Sequence, residues 1–418
     1  MTLRVLIAGA GIAGPALALM LLRSGRDYDI TIVERSPHLR AAGQQVDARA
    51  QGITILSKLG LLEQIAAKSV GESGVAFVDA AGEPKAIFGV NDSGRGQQAI
   101  TSEYEVMRGD VVDILYDATV SAARDAEQTT GGPRLRYEFG KVVTDLQQDD
   151  SGVDVQFSNG RPARYDIVVG ADGQNSRTRQ MLRVEDAFHF TGLYLAYFSV
   201  PRAEADTELA KCFHLPGRRV IATRSGNRPT TQVYMATMAH TEELKLSLRK
   251  NTEEQKALWK SLFMDCQWQN DRLMDGLEKT PDFYAQQIGQ VKMDRWYKGR
   301  VVLLGDAAFC PSPITGMGTT AAFVGAYVLA GELARHGEDI PAALESYNEI
   351  LRPYISEIQR MPPGAPWIFY PRTTWGIWFL QMCFWVLSVL RLDQIYHRLM
   401  PEDRGNWKVP EYPELDLD

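Results

Sequence analysis

Val5-Leu-Ile-Ala-Gly-Ala-Gly-Ile-Ala-Gly14 is the stretch on which the reading of this 418-residue chain turns. Residues 5–8 form the apolar run of a buried strand, residues 15–22 have the character of a helix, and Gly9, Gly11 and Gly14 fall in the turn between them. In such a turn the first glycine permits the tight bend, the second lets a pyrophosphate approach the backbone, and the third lets helix and sheet pack closely. The helix start then offers its unpaired N–H groups and positive dipole end to the phosphates. A second apolar strand, residues 30–33, ends at Glu34, which is 34 − 14 = 20 positions past the last glycine. A carboxylate there can accept the hydroxyls of an adenosine ribose. Arg4 followed by an apolar stretch to Leu22 also has the outline of a secretory leader. No small-residue cleavage site follows, and Arg23 leads straight into the second strand, so residues 1–34 are expected to be mature, folded protein.

The chain is long enough for two domains with generous cores. A net charge of −7, from 52 acids against 45 bases, argues against a general nucleic-acid or anionic-membrane binder and favours small molecules as partners. Cys212, Cys266, Cys310 and Cys383 form no C-x-x-C pair and there are only six histidines, so neither a metal site nor a disulfide framework is expected. Scattered thiols fit a reducing compartment, and the expected location is cytoplasmic.

Along the chain, residues 49–68 carry Ile53, Leu56, Leu59, Leu62 and Ile65 at helical spacing. Residues 75–100 are glycine-rich with short strand-like pieces. A helix follows Met107-Arg-Gly-Asp110, with Asp110 as its expected N-cap, and residues 129–133 read as a loop. Residues 134–138, 142–147, 153–157 and 163–169 are predicted to form a small antiparallel meander. Residues 188–239 again look like strands, residues 252–264 like a helix with Trp259 and Leu262 inward, and residues 301–304 like a buried parallel strand before a long apolar helix at 319–335. Two βαβ-like segments therefore flank an excursion of antiparallel strands. The expected division is 1–179 with 294–360 as a discontinuous nucleotide domain that includes part of the substrate-side sheet around 75–105. Residues 180–293 would form an inserted domain, and 361–418 a C-terminal helical segment.

Two further glycine–acid turns repeat the logic of the first. Gly170-Ala-Asp-Gly173 ends an apolar strand, and Asp172 there can orient donors beside a nucleotide or cap the helix that follows. Gly305-Asp-Ala-Ala-Phe-Cys-Pro-Ser-Pro-Ile-Thr-Gly-Met-Gly318 joins a buried strand to a long helix. Asp306 could accept the ribityl hydroxyls of a flavin, and the helix start after Gly316-Met-Gly318 could present N–H groups to the electron-rich flavin edge.

Together these motifs resemble the class A FAD-dependent monooxygenases, the aromatic hydroxylases that include p-hydroxybenzoate hydroxylase, over about residues 3–360. The fold implied is α/β: a Rossmann-like FAD-binding domain with an inserted substrate domain built on an antiparallel sheet, plus C-terminal helices. The resemblance implies that Gly9, Gly11, Ile12, Ala13, Gly14, Glu34 and Arg35 hold the ADP half of FAD. It implies that Asp172 serves both FAD and the nicotinamide nucleotide, and that Asp306, Pro313, Gly316, Met317 and Gly318 surround the ribityl chain and isoalloxazine. Arg49 resembles the arginine near the flavin and incoming NAD(P)H, and Arg108 the one contacting the FAD backbone. Many members have His where this chain has Phe309, Asn where it has Thr320, and Asp where it has Gly325. The Cys-Pro-Ser-Pro and Val-Gly-Ala-Tyr-Val-Leu-Ala-Gly-Glu segments resemble the tetracycline-destructase-like and fungal natural-product branch, hence secondary metabolism or antibiotic inactivation.

The reaction so implied uses NAD(P)H, NADPH favoured, to reduce FAD. O₂ then gives a C4a-hydroperoxyflavin that passes one oxygen atom to a hydrophobic aromatic, polyketide-like or polycyclic molecule. Substrate-facing candidates on the inserted sheet are Tyr194, Tyr197, Arg224, Tyr234 and Met238; no catalytic base is assigned. Other readings on the same fold are a flavin halogenase, whose Trp-x-Trp-x-Ile-Pro segment is not found, and an FAD-binding redox protein without turnover. Residues 373–390 carry no charge, hold Trp375, Trp378 and Trp385, and lie between Arg372 and Arg391. Their length just reaches that of a membrane span, but Thr373, Thr374, Gln381 and Ser388 dilute the run. A buried helix that caps the substrate entrance is the favoured expectation over membrane association.

Overall fold

Strand β1 (Leu3–Ala8) and strand β2 (Tyr28–Glu34) pair in parallel across the helix α1 (Ala13–Arg23), as the opening motif predicts. The computed structural model describes residues 2–39, 43–90, 104–127, 134–183, 187–391 and 407–417. Around β1 the sheet has six strands, ordered Tyr297–Lys298, Val301–Leu303, Ile167–Gly170, β1, β2 and Arg134–Phe139, parallel except for the first pair. Its central strands are buried on both faces, which is why they read as continuous apolar runs and not as alternations. One face is covered by α1, which packs between Arg108–Glu127 and the long helix Gly318–His336. The tail returns to this layer: Tyr412 lies over Gly331 and donates to Glu332 at 2.7 Å.

A second sheet has seven strands in the order Tyr284–Val291, Phe188–Pro201, Thr230–Thr237, Arg219–Arg224, Leu209–Leu215, Gly74–Val78 and Pro84–Gly89. It is antiparallel save for one parallel pair, where Gly74–Val78 lies beside Leu209–Leu215. Its outer face rests on the helices Thr252–Phe263 and Asn270–Lys279, with Trp259, Phe263, Leu273 and Leu277 buried against Phe198 and Met235.

The predicted four-strand meander is corrected. Arg134–Phe139 leaves it to pair in parallel with β2, and Ile167–Gly170 pairs in parallel with β1. Only Val143–Asp149, Gly152–Phe157 and Ala163–Tyr165 form an antiparallel sheet. An edge strand with one wet face alternates whichever way its neighbour runs, so the pattern of 134–139 carried no direction. Residues 49–68 also form two helices, Gln51–Lys58 and Leu62–Ala67, broken where Gly60 takes φ +64°. Asp110 lies inside the first turn of Arg108–Glu127, where it accepts from Arg228 at 2.6 Å. Leu262 is only partly buried beside the fully buried Trp259. The loop at 129–133 and the part of the glycine-rich stretch from 91 onward lie outside the described residues.

The tryptophan-rich tail forms the helix Thr374–Val389, and it is not the buried cap expected. It rests on Pro84–Gly89 at the sheet's edge, with Phe384 against Phe77 and the Ser388 hydroxyl donating to the Ile87 carbonyl at 2.8 Å. Only Ile377, Leu380 and Phe384 are buried, because a helix laid across an edge strand has a single stripe to offer it. Among the described residues no helix is long and apolar enough to cross a membrane.

Candidate functional site

All three glycine–acid turns leave adjacent strands at one level. Ala8 is in register with Gly170, Gly170 with Leu303, and Ala8 with Val33, so Gly9, Ala171 and Leu304 step off the same edge of the sheet. This carboxyl edge is where open α/β sheets bind nucleotides. The first turn is closed by its neighbours: a Cβ on Gly9, where φ is +120°, would lie 2.4 Å from the Ala171 carbonyl oxygen, and one on Gly14 would lie 2.1 Å from that of Gly9. Gly305 of the third turn packs against Ala13, at 3.0 Å from the place of a Cβ.

The charged groups converge on the same edge. Glu34 accepts from the Ala10 N–H at 3.1 Å and the Ser36 N–H at 2.9 Å, which holds the glycine turn against β2. Its neighbour Arg35 is exposed. The Arg108 guanidinium lies about one contact from Gly11, 3.1 Å from where its Cβ would be, and its stem lies equally close to Gly43. The Arg49 guanidinium pairs with Asp47 and faces Gly316. Asp306 is open to solvent, with an oxygen 3.9 Å from the place of a Cβ on Gly318. Protein packed around it raises its carboxyl above the ordinary value despite that opening, and Arg108 pulls the other way. Pro313 begins a single 3₁₀ turn, Pro313–Thr315, and Met317 is buried behind it.

These residues fit FAD. The helices Ala13–Arg23 and Gly318–His336 begin at Ile12 and Met317 with no side chain capping either one, so their first N–H groups remain for a pyrophosphate and a flavin edge. Two arginines and two carboxylates stand beside them, the set a dinucleotide's phosphates and hydroxyls call for.

Asp172 performs the capping role that is one of the two expected of it. It accepts from the Thr178 N–H at 3.0 Å, the Thr178 hydroxyl at 3.1 Å and the Ser176 hydroxyl, and so caps the helix Arg177–Met181. Sequence reasoning passed over Arg179, which donates to the Ala307 carbonyl at 2.8 Å and the Gln174 carbonyl at 2.6 Å, tying the second turn to the third. Only its place in the Asp172–Arg179 stretch pointed to it. The residues that depart from the family pattern have partners too. Thr320 accepts from the Arg49 N–H at 2.9 Å and donates to the Arg49 carbonyl at 3.2 Å. The Phe309 ring fills the space over Gly325, 2.7 Å from where a Cβ would sit.

On the seven-stranded sheet the substrate candidates separate. Tyr194 and Tyr197 are three apart and so face opposite ways. Tyr194 joins the core under the helices, its hydroxyl accepting from Gln287 at 2.9 Å. Tyr197 and Tyr234 face the nucleotide edge in direct register, and Tyr284 stacks on Tyr197. Tyr197 donates to the Gly43 carbonyl at 3.1 Å, Tyr284 to Gln44 at 3.2 Å, and Tyr234 accepts from the Gln45 N–H at 3.3 Å. These tyrosines position the segment that carries Arg49. Met238 lies farther along that face with Leu193, Val220, Ala236 and Ile288, touched by Ile314 of the third turn and Tyr370 of the tail.

Arg224 is held by carboxylates that sequence reasoning missed: Glu72, at 3.1 Å, and Glu105, at 2.6 Å. Glu72 also accepts from the Gln45 side chain at 3.0 Å. Burial, with the charges of Glu72 and Asp47, outweighs Arg224 and pushes the Glu105 carboxyl from 4.5 up to about 7. A carboxyl whose folded value is raised keeps extra protons in the native state, so its stabilising contribution is complete below the unfolded value and is lost as pH rises through the folded one. Melting temperatures of the wild type are therefore expected to fall between pH 5 and pH 7.5 more steeply than those of Glu105→Gln; parallel slopes would refute the assignment.

Residues 2–361 match the family model described as "FAD binding domain". The chain is 43% identical to the FAD-dependent monooxygenase asL6 of Sarocladium schorii, each chain covered over its full 100%. It is 40% identical to the flavin-dependent monooxygenase eupH of a Phoma species, covering 99% of this chain and 98% of that one. Among solved structures, that of the tetracycline destructase Tet(51) superposes with a TM-score of 0.74 at 29% identity, covering 99% of this chain and 100% of that one. Turns aligned on one sheet edge and full-length relatives give the same answer: the chain belongs to this FAD-binding family and is an FAD-dependent monooxygenase.

Proposed function

We propose that the enzyme is an O₂-dependent monooxygenase, reduced by NADPH in preference to NADH, that inserts one oxygen atom into a neutral, hydrophobic, polycyclic or polyketide-like aromatic. The observation that carries the substrate class is the apolar cluster beside the third turn, where Leu193, Val220, Ala236, Met238 and Ile288 meet Ile314. His214, on the neighbouring strand and bonded to the Phe369 carbonyl at 3.1 Å, has its value pushed down to about 4 by burial and is uncharged at neutral pH. Apolar lining of this kind beside the third turn favours neutral, hydrophobic molecules over charged ones. One structural neighbour bears the name tetracycline destructase, and tetracycline is a molecule of this polycyclic kind.

In this reading Gly9, Gly11, Ile12, Ala13, Gly14, Glu34 and Arg35 hold the ADP half, and Arg108 neutralises the pyrophosphate. Asp306, with Pro313, Gly316, Met317 and Gly318, lines the ribityl chain and flavin ring. Bound FAD supplies the redox chemistry, and the balance is NADPH, H⁺, O₂ and substrate giving NADP⁺, water and oxygenated substrate. Tyr197, Tyr234 and Tyr284 fix the 43–45 segment so that Arg49 stays beside the ring. The substrate side comprises residues 180–293 with the Gly74–Gly89 strands and residues 361–391.

The test is oxidation of NADPH and NADH under air with a panel of phenolic and polycyclic compounds, with ¹⁸O₂ incorporation into product. Stimulation by a polycyclic compound and one ¹⁸O atom per product are expected. Flavin-loaded enzyme that no compound stimulates would replace this reading with that of a redox protein.

A further inference from the structure

The helix Thr374–Val389 divides into two stripes. Ile377, Leu380, Phe384 and Ser388 meet the sheet edge, while Trp375, Trp378, Phe379, Met382, Trp385 and Val389 run along the opposite side. Trp375 is 71% exposed, Trp378 56% and Trp385 53%, and the adjoining turn Trp367–Phe369 is exposed as well. A contiguous apolar face of this kind on a soluble fold marks an interaction site. Its composition names the partner. Residues 361–391 contain no Asp or Glu, and Arg372 and Arg391 bracket the helix in a chain whose net charge is −7. Sixteen residues at about 1.5 Å each make a helix of about 24 Å, too short to span a bilayer's hydrocarbon core of about 30 Å. Tryptophan and arginine are the residues that settle at the boundary between headgroups and acyl chains.

We propose that this helix is an in-plane anchor that seats the enzyme on an anionic phospholipid surface. The tryptophan stripe enters the interface, and Arg372 and Arg391 meet lipid phosphates. A second copy of the chain is the poorer partner. A two-fold pairing of antiparallel helices sets Arg372 against Arg391 at both ends, and the segment has no carboxylate to separate them. A lipid surface complements that charge.

The experiment floats the full-length, flavin-loaded protein with phosphatidylcholine vesicles, with and without phosphatidylserine. The protein is expected to float with the phosphatidylserine vesicles, with a blue-shifted tryptophan emission that brominated lipids quench. The variant W375S/W378S/W385S is expected to lose at least about tenfold in vesicle affinity while keeping its flavin, since these side chains are exposed. R372Q/R391Q, a second variant, is expected to lose the preference for phosphatidylserine. Wild-type protein that stays at the bottom of both gradients overturns the proposal. So does a dimer in sedimentation that the tryptophan variant converts to monomer, which would assign the face to a second copy.

Discussion

Asp306→Ala is expected to lose bound FAD on purification and to weaken its dissociation constant about a hundredfold in flavin-fluorescence titration. The side chain is solvent-open at the start of a four-residue helix, so its removal leaves the fold intact. What it removes is a carboxylate beside Gly318 and in the field of Arg108, where each charge-assisted bond to a ribityl hydroxyl of the proposed FAD would be worth about 1.5–3 kcal/mol. About 2.7 kcal/mol of that corresponds to the hundredfold. Asp306→Asn, which keeps an acceptor, should fall between. Unchanged flavin content in Asp306→Ala would show that the third turn does not meet the ribityl chain.

The second large effect lies away from the cofactor. Arg224→Leu is expected to destabilise the protein by about 3–5 kcal/mol, because it leaves Glu72 and Glu105 buried together without their cation. The same substitution loosens Gln45, which both Glu72 and Tyr234 hold, and so should weaken FAD binding through the 43–49 segment. Adding Glu72→Gln and Glu105→Gln to Arg224→Leu should restore a large part of the stability in denaturant titration. A triple variant no more stable than the single one would mean that packing of the Arg224 stem, not the stranded charge, is responsible.

Much of this could be read from the chain because the chemistry is local. Gly9 and Gly14 are required by contacts within the turn itself or with the strand beside it, and Glu34 stands at the end of the next strand, whereas Gly11 meets the distant Arg108. What could not be read depends on distant partners. Arg224 resembled a substrate-facing charge until Glu72 and Glu105 were found against it, more than a hundred positions away in sequence. Tyr194 and Tyr197 were both drawn to the site by residue type, and only the strand's alternation and its register with Thr230–Thr237 sent one to each face. The tail was expected to be a buried cap through its likeness to the family's C-terminal helix, yet burial is decided by how much surface a neighbour presents. The edge strand Pro84–Gly89 presents little.

The packing of Phe309 over Gly325 couples two positions that are sixteen residues apart. A Cβ at 325 would lie 2.7 Å from the Phe309 ring and 3.1 Å from the Leu304 side chain, so any larger residue there requires the ring to move. A flavin loop transplanted into this chain should therefore carry its residue 309 together with a residue 325 that fits it.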